Sequence, residues 1–459
     1  MTELASAVRA AAEAGIPAAL SDLGELVRIP SIAFPGFDVE QVRSSAAAVA
    51  ELAEQTGVFD SVIVTDAAIP GSNTRGMPAV LASRAARNGK PTILLYAHHD
   101  VQPVGDEADW ESPPFQPTVR EGRLYGRGAA DDKAGVMVHI AAVRALAEAT
   151  ESDVDLGIAL FIEGEEEAGS RSFAQFLSDN ATVLNADVIV VADSGNWDES
   201  TPALTVSLRG NVRFTLTVRT LDHASHSGMF GGAVPDAMMA TITLLATLWD
   251  DTGSVAVPGL TVRDAPTPDY DESTLRNETG LSAGVAPIGT GSILSRIWNG
   301  PTVTVTGIDA PSVANASNTL TPEVRVVISA RVAPGQPAAE AFAAIERHLR
   351  ANAPYGAQLE FSEPDNGDGF LVDTSGGFVR AAREALRDGY GKEPVDLGVG
   401  GSIPFIADLV AQFPAAKILV TGVEDPNSRA HSPNESLHLE TFRHAVVSEA
   451  LLLEKLNRG

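Results

Sequence analysis

Five short apolar runs recur along this chain with helical patterns between them, and this alternation limits the possible folds more than any other feature. The runs are SVIVT (61–65), TILLYA (92–97), LGIALFI (156–162), DVIVVA (187–192) and KILVTG (417–422). Between them, KAGVMVHIAAVRALAEA (133–149) and SRSFAQFLSD (170–179) carry apolar residues at helical spacing. Runs that are apolar throughout predict strands buried on both faces. Strands of that kind alternating with helices predict an α/β sheet covered on each side.

The middle of the chain reads differently. VRFTLTVRT (212–220) and EVRVVISARV (323–332) alternate as half-exposed strands do. A helix is expected over VPDAMMATITLLATLWD (234–250), followed by a long Pro/Gly-rich stretch near 253–300. The segment 337–353 is amphipathic, AQLEFSE (357–363) reads as a further strand, and PDNGDGF (364–370) reads as a returning linker. The prediction is a second, α+β domain over 207–373, inserted into a first domain made of 1–206 and 374–459. A length of 459 residues suits two such cores.

Composition narrows the function. Lys+Arg number 32 and Asp+Glu 60, a net charge of −28. That balance argues against nucleic acid or an anionic membrane as a partner. With no cysteine, disulfides, thiolate metal sites and a Cys nucleophile are excluded. No apolar run approaches a membrane span, and the N-terminal MTELASAVRAAAEAGIPAAL lacks the basic-then-apolar order of a signal peptide. The expectation is a cytoplasmic protein.

The residues at the carboxyl end of each strand point to chemistry. TILLYA leads into His98, His99 and Asp100. LGIALFI leads into Glu163, Glu165, Glu166 and Glu167, DVIVVA into Asp193, and KILVTG into a loop with SRAHSPNE and His431. Asp131 and Asp132 lie in GRGAADDKAG, just before a helical pattern. Open α/β sheets form their sites outside the carboxyl ends of the strands. Any one of these residues alone would read as a turn, a cap or a solvated face. Together they would repel strongly without cations, and imidazole plus carboxylate donors suit Zn²⁺, Mn²⁺ or Co²⁺. HExxH, GxSxG, P-loop and GxGxxG motifs are absent.

The segments LVRIPSIA, AHHDVQPV, WESPPFQPTVREGRLYGRGAADDKAG, EGEEEAGS, HSGMFGG, GGSIPF and AHSPNE, in that order from about residue 24 to 436, resemble the M20 metallopeptidases, the dipeptidase/carnosinase-like branch in particular. The resemblance implies a di-metal catalytic domain with a central mixed sheet flanked by helices, and an inserted α+β lid domain that dimerises. It implies two divalent ions per subunit, Zn²⁺ first and Mn²⁺ or Co²⁺ as alternatives. His98, Glu167, Asp193 and His431 match metal ligands, and Asp131 matches the carboxylate that bridges the two ions. Asp100 matches the residue that orients His98. In an extended segment residues i and i+2 share a side, so Asp100 can reach His98 while His99 points away. Glu166 matches the general base.

In the inserted domain, His226 matches the oxyanion-stabilising histidine, which in the family reaches the neighbouring subunit's active site. Arg331 and the loop of Gly400, Gly401 and Ser402 match residues that hold the substrate carboxylate. The implied reaction is hydrolysis of the amide bond of dipeptides or short peptides with a free C-terminal carboxylate, by a metal-bridged water that Glu166 activates. An N-acyl-amino-acid deacylase or carboxypeptidase of the same superfamily is the alternative, and a non-catalytic binding protein a more distant one. A homodimer through the lid domain is expected, with Met238, Met239, Leu244, Leu245 and Trp249 as interface candidates.

Overall fold

The computed structural model describes residues 2–400 and 404–458. The chain divides into two compact units. One comprises Met1–Val206, Val372–Leu397 and Asp408–Gly459, the other Ser207–Leu371 and Gly398–Ala407.

The first unit is built on a mixed sheet. Its strands lie in the order Ser61–Thr65, Ala79–Arg84, Gly157–Glu163, Thr92–His98, Val188–Val191 and Lys417–Val420. The last four run parallel, and the first two pair antiparallel at one side. Ile93, Leu95 and Ala97 face a core shared with helices Glu3–Val27, Lys133–Ala149 and Leu439–Arg458. On the opposite face Tyr96 meets Phe161 and Phe173 edge-on, and Phe161 stacks on Phe176 at 4.5 Å. Both faces are covered, so these strands need apolar residues at every position. SVIVT departs from that expectation. It forms an outer strand, and its Ile63 and Val64 are each 46% exposed.

Register brings the strand ends level. His98 lies beside Glu163, and Tyr96 beside Val191. The residues just beyond the parallel strands therefore gather along one edge.

The second unit is α+β. Thr302–Asp309, Glu323–Val332, Gly210–Arg219 and Gln358–Gly367 form an antiparallel sheet in that order. Val324, Val326, Ile328, Ala330 and Val332 point into its core, which accounts for the alternation in the sequence. Helices Ala237–Ala246 and Ala338–Ala351 pack against this sheet. Two sequence readings need correction. Residues 364–367 are not a linker. They continue the strand Gln358–Gly367, pairing with Asn211–Arg213 beyond an irregularity between Ser362 and Asp365. The helix expected over 234–250 spans only Ala237–Ala246, capped by the Asp236 carboxylate on the Met239 N–H. Among the described residues, no helix is long and apolar enough to cross a membrane.

Candidate metal centre

The first unit collects its imidazoles and carboxylates into two donor sets at the sheet edge. His98, Asp131 and Asp193 form one, and Asp131, Glu167 and His431 the other. Within each set the ligating atoms lie within 4.8 Å of one another, and Asp131 belongs to both. His98 is buried at the end of its strand, its Nε2 3.2 Å from Asp131 Oδ1. His431 Nε2 lies 2.9 Å from Asp131 Oδ2 and 3.3 Å from Glu167 Oε2.

Local contacts hold these groups in place. His98 Nδ1 lies 3.1 Å from the Asp100 carbonyl oxygen and 3.4 Å from its carboxylate. The Asp100 carboxylate has a second task. It accepts the backbone N–H groups of Glu166 and Glu167, each at 3.1 Å, tying the end of one strand to the glutamate loop. Asp132 Oδ2 accepts the His98 N–H at 3.2 Å. Helix Lys133–Ala149 begins immediately after the two aspartates, so its positive end faces them. Gly135 in its first turn is sterically required, since a Cβ there would lie 2.1 Å from Asp132 Oδ1 and 2.6 Å from the Ala192 carbonyl.

His99 takes a different course. It is buried, with Nε2 on the Pro78 carbonyl at 2.9 Å and, among the described residues, no partner for Nδ1. Burial lowers its pKa to about 4. His98 is raised well above the usual range. Burial opposes that shift, and hydrogen bonds to Asp100 and Asp131 outweigh it.

The carboxylates crowd one another. Burial and the nearby Asp131 carboxylate push Glu167 up to about 8. Burial raises Asp193 to about 6, with Asp131 adding to the shift and His98 opposing it. Glu166 is raised well above the usual range, by burial and then by Asp193 and Glu163, against the pull of His98. Asp131 is held below the usual range. Burial works against this, but the hydrogen bonds from His431 and His98 prevail. Carboxyls raised by burial and by one another are groups that a bound cation would ionise. Oxygen and imidazole donors without thiolate, in two sets sharing one carboxylate, fit a pair of divalent metal ions.

His226, Arg331 and Gly400 belong to the second unit. His226 is exposed on the short strand Ser225–His226, which pairs with Thr319–Leu320, and its Nδ1 accepts the Gly228 N–H at 3.1 Å. Arg331 pairs with Asn211 and Thr302 across the sheet. The Gly400 carbonyl accepts Arg209 Nε at 3.0 Å. Gly401 and Ser402 lie outside the described residues.

Sequence reasoning missed three contributors. The Gln102 amide donates to Glu167 Oε2 at 2.6 Å. The Tyr96 hydroxyl donates to Glu163 at 2.6 Å beneath the site. Glu435 braces the Asp131 loop. Gln102 and Glu435 stand inside the segments AHHDVQPV and AHSPNE, and membership of those segments is the one signal that could have found them.

Fold and donor sets together define a mixed α/β domain that carries a two-compartment cage of oxygen and nitrogen donors. The chain belongs to the peptidase family M20/M25/M40, which matches residues 94–455. It is 36% identical over 368 residues to the cysteinylglycine-S-conjugate dipeptidase of Corynebacterium striatum, covering 79% of this chain and 80% of that protein. It is 28% identical over 450 residues to the Beta-Ala-His dipeptidase of Rattus norvegicus, covering 93% and 90%. Among solved structures, the dipeptidase Dug1p of Saccharomyces cerevisiae shares the fold along the whole of both chains, with a TM-score of 0.77 at 23% identity.

Proposed function

We propose that this chain is a metallodipeptidase that hydrolyses the amide bond of dipeptides or short peptides bearing a free C-terminal carboxylate. The observation that carries the reading is the sharing of Asp131 between two three-donor sets, with the raised carboxyl of Glu166 among the same charges. Two bound divalent ions, Zn²⁺ first, would supply Lewis acidity, acidifying the attacking water and polarising the scissile carbonyl.

The chain's own residues do the rest. His98, Asp131, Asp193, Glu167 and His431 hold the ions. Asp100 orients His98 and, through two backbone N–H groups, fixes the loop that carries Glu166. Glu166 takes the proton from the water as its oxygen attacks the carbonyl carbon, then delivers that proton to the leaving amine as the C–N bond breaks. Both halves of this cycle need a group that accepts a proton and then releases it near neutral pH. In the same reading His226 donates to the developing oxyanion. Arg331 with the Gly400–Ser402 loop would hold the substrate carboxylate.

The dipeptidase activities in the names of the Corynebacterium and rat relatives support this substrate class. A panel of cysteinylglycine, its S-conjugates, β-alanyl-histidine, and N-acetyl and N-succinyl amino acids tests it. The expected result is turnover of dipeptides well above that of the N-acyl compounds. Turnover of the N-acyl compounds alone would make the chain a deacylase.

A further inference from the structure

Glu435 closes the segment SPNE, four residues after His431, and the proposed reaction gives it no task. It is fully buried. Its Oε2 accepts Arg127 Nη1 at 2.6 Å and the Gly128 N–H at 3.1 Å. Its Oε1 accepts the N–H groups of Ala130 at 2.9 Å and Asp131 at 3.2 Å. Its own carbonyl accepts the Gly126 N–H at 3.1 Å. Arg127 is buried too, and Nη2 reaches the Pro103 carbonyl at 3.4 Å. A buried carboxylate with four donors, one of them a guanidinium, is a well-satisfied charge. From Glu435 the chain enters strand Ser436–His438, which pairs with Arg123–Tyr125.

A single side chain thus fixes the backbone of residues 128–131 against the segment that carries His431. His431 itself sits in a turn with φ of 60° and a largely exposed side chain. The other donor set has its own brace, because Asp132 accepts the His98 N–H.

We propose that Glu435, braced by Arg127, is a positioning residue that sets the placement of Asp131 relative to His431, and through it the affinity of the Asp131–Glu167–His431 set for a divalent ion. The inference rests on the metal-site reading of the proposed function. Asn434 supplies a control within the same turn. Its side chain accepts the Glu111 N–H at 2.8 Å and donates to the Asp109 carbonyl at 3.0 Å, tying the turn to a different segment.

The experiment is calorimetric titration of the chelator-stripped, full-length protein with Zn²⁺. The proteins compared are wild type, Glu435→Gln, Asn434→Ala and His431→Ala, with circular dichroism confirming the fold of each. Glu435→Gln turns one acceptor oxygen into a donor facing backbone N–H groups. It should weaken one binding step by about 10–100-fold, the usual effect of losing a group that orients a ligand. That step should be the one His431→Ala abolishes, while Asn434→Ala keeps both constants near wild type. If Glu435→Gln does not fold, Glu435→Asp keeps the charge but draws the carboxylate back by one methylene, and should weaken the same step. Unchanged constants in the folded Glu435 variant, or an equal loss in Asn434→Ala, would overturn the proposal while leaving the metal site intact. Wild-type protein that takes up no Zn²⁺ would overturn both.

Discussion

His98 and His99 are adjacent in the chain and opposite in chemistry. His98 has both nitrogens engaged with Asp100 and Asp131, whereas His99 is turned to the Pro78 carbonyl. His98→Ala should therefore lose bound metal and activity, while His99→Ala keeps its metal stoichiometry; equal loss in the two, by elemental analysis, would contradict the assignment. His99 also predicts a pH effect. Its buried Nδ1 has no acceptor among the described residues, so protonation there creates an unpaired donor. The folded pKa, about 4, lies below the ordinary 6.5. Between those values the unfolded chain binds more protons. The stabilisation is complete above pH 6.5 and is lost as pH falls through 4, amounting to about 3 kcal/mol. In chelator-stripped protein, His99→Phe should flatten the pH dependence of the unfolding free energy over that window, measured by urea denaturation. An unchanged slope would mean that another group titrates there. Glu166→Gln should retain metal and lower kcat by about 10²–10⁴-fold, the usual worth of a positioned base. Near wild-type kcat in the metal-loaded variant would remove Glu166 from that role.

Elements differ in how clearly the sequence announces them. Thr92–His98 and Gly157–Glu163 were legible because burial on both faces leaves no polar residue in their interiors, 93–97 and 158–162. SVIVT has the same composition, yet it forms an outer strand, because composition reports strand preference and not how many neighbours a strand acquires. Residues 364–367 read as a turn from Pro, Asp, Asn and Gly, but their backbone pairs with Asn211–Arg213 across an irregularity that side-chain alternation cannot reveal. Of the expected interface residues of the second unit, Leu244 is buried in that unit's own core, and Met238 and Leu245 on the same helix and Trp249 just beyond it pack against that core. Met239 is exposed, as is Ile242, which the sequence reading passed over. At the site, clusters of like charge after strands could be seen. Gln102 and Glu435 could not, because a single polar residue has no periodicity to mark it. Helix Lys133–Ala149 ties fold to site through its first turn. Gly135→Ala would drive a methyl into Asp132 and the Ala192 carbonyl. It should cost about 1–3 kcal/mol, the usual penalty of overpacking, and reduce metal uptake. A thermal melt and metal analysis matching wild type would show that the turn can yield.

At the scale of the whole molecule, we propose a homodimer in which each active site uses His226 of the other subunit. Met239 and Ile242 leave apolar surface on the second unit available for such a contact. His226→Ala should lower activity by roughly 10²–10³-fold through loss of an oxyanion donor, and Glu166→Gln should also be nearly inactive. A heterodimer of the two carries one complete site, so co-expressed mixtures should regain up to about half of wild-type activity per heterodimer. If subunits exchange and no activity returns, His226 does not act across subunits. The dimer matters only if two ions, held around Asp131, make this chain a peptidase. The most direct test is to strip the protein with chelator and follow dipeptide hydrolysis as Zn²⁺ is added back in measured equivalents. The expected result is no hydrolysis without metal and full recovery as two equivalents per chain are bound. Hydrolysis by the stripped protein, or none at any metal load, would contradict it.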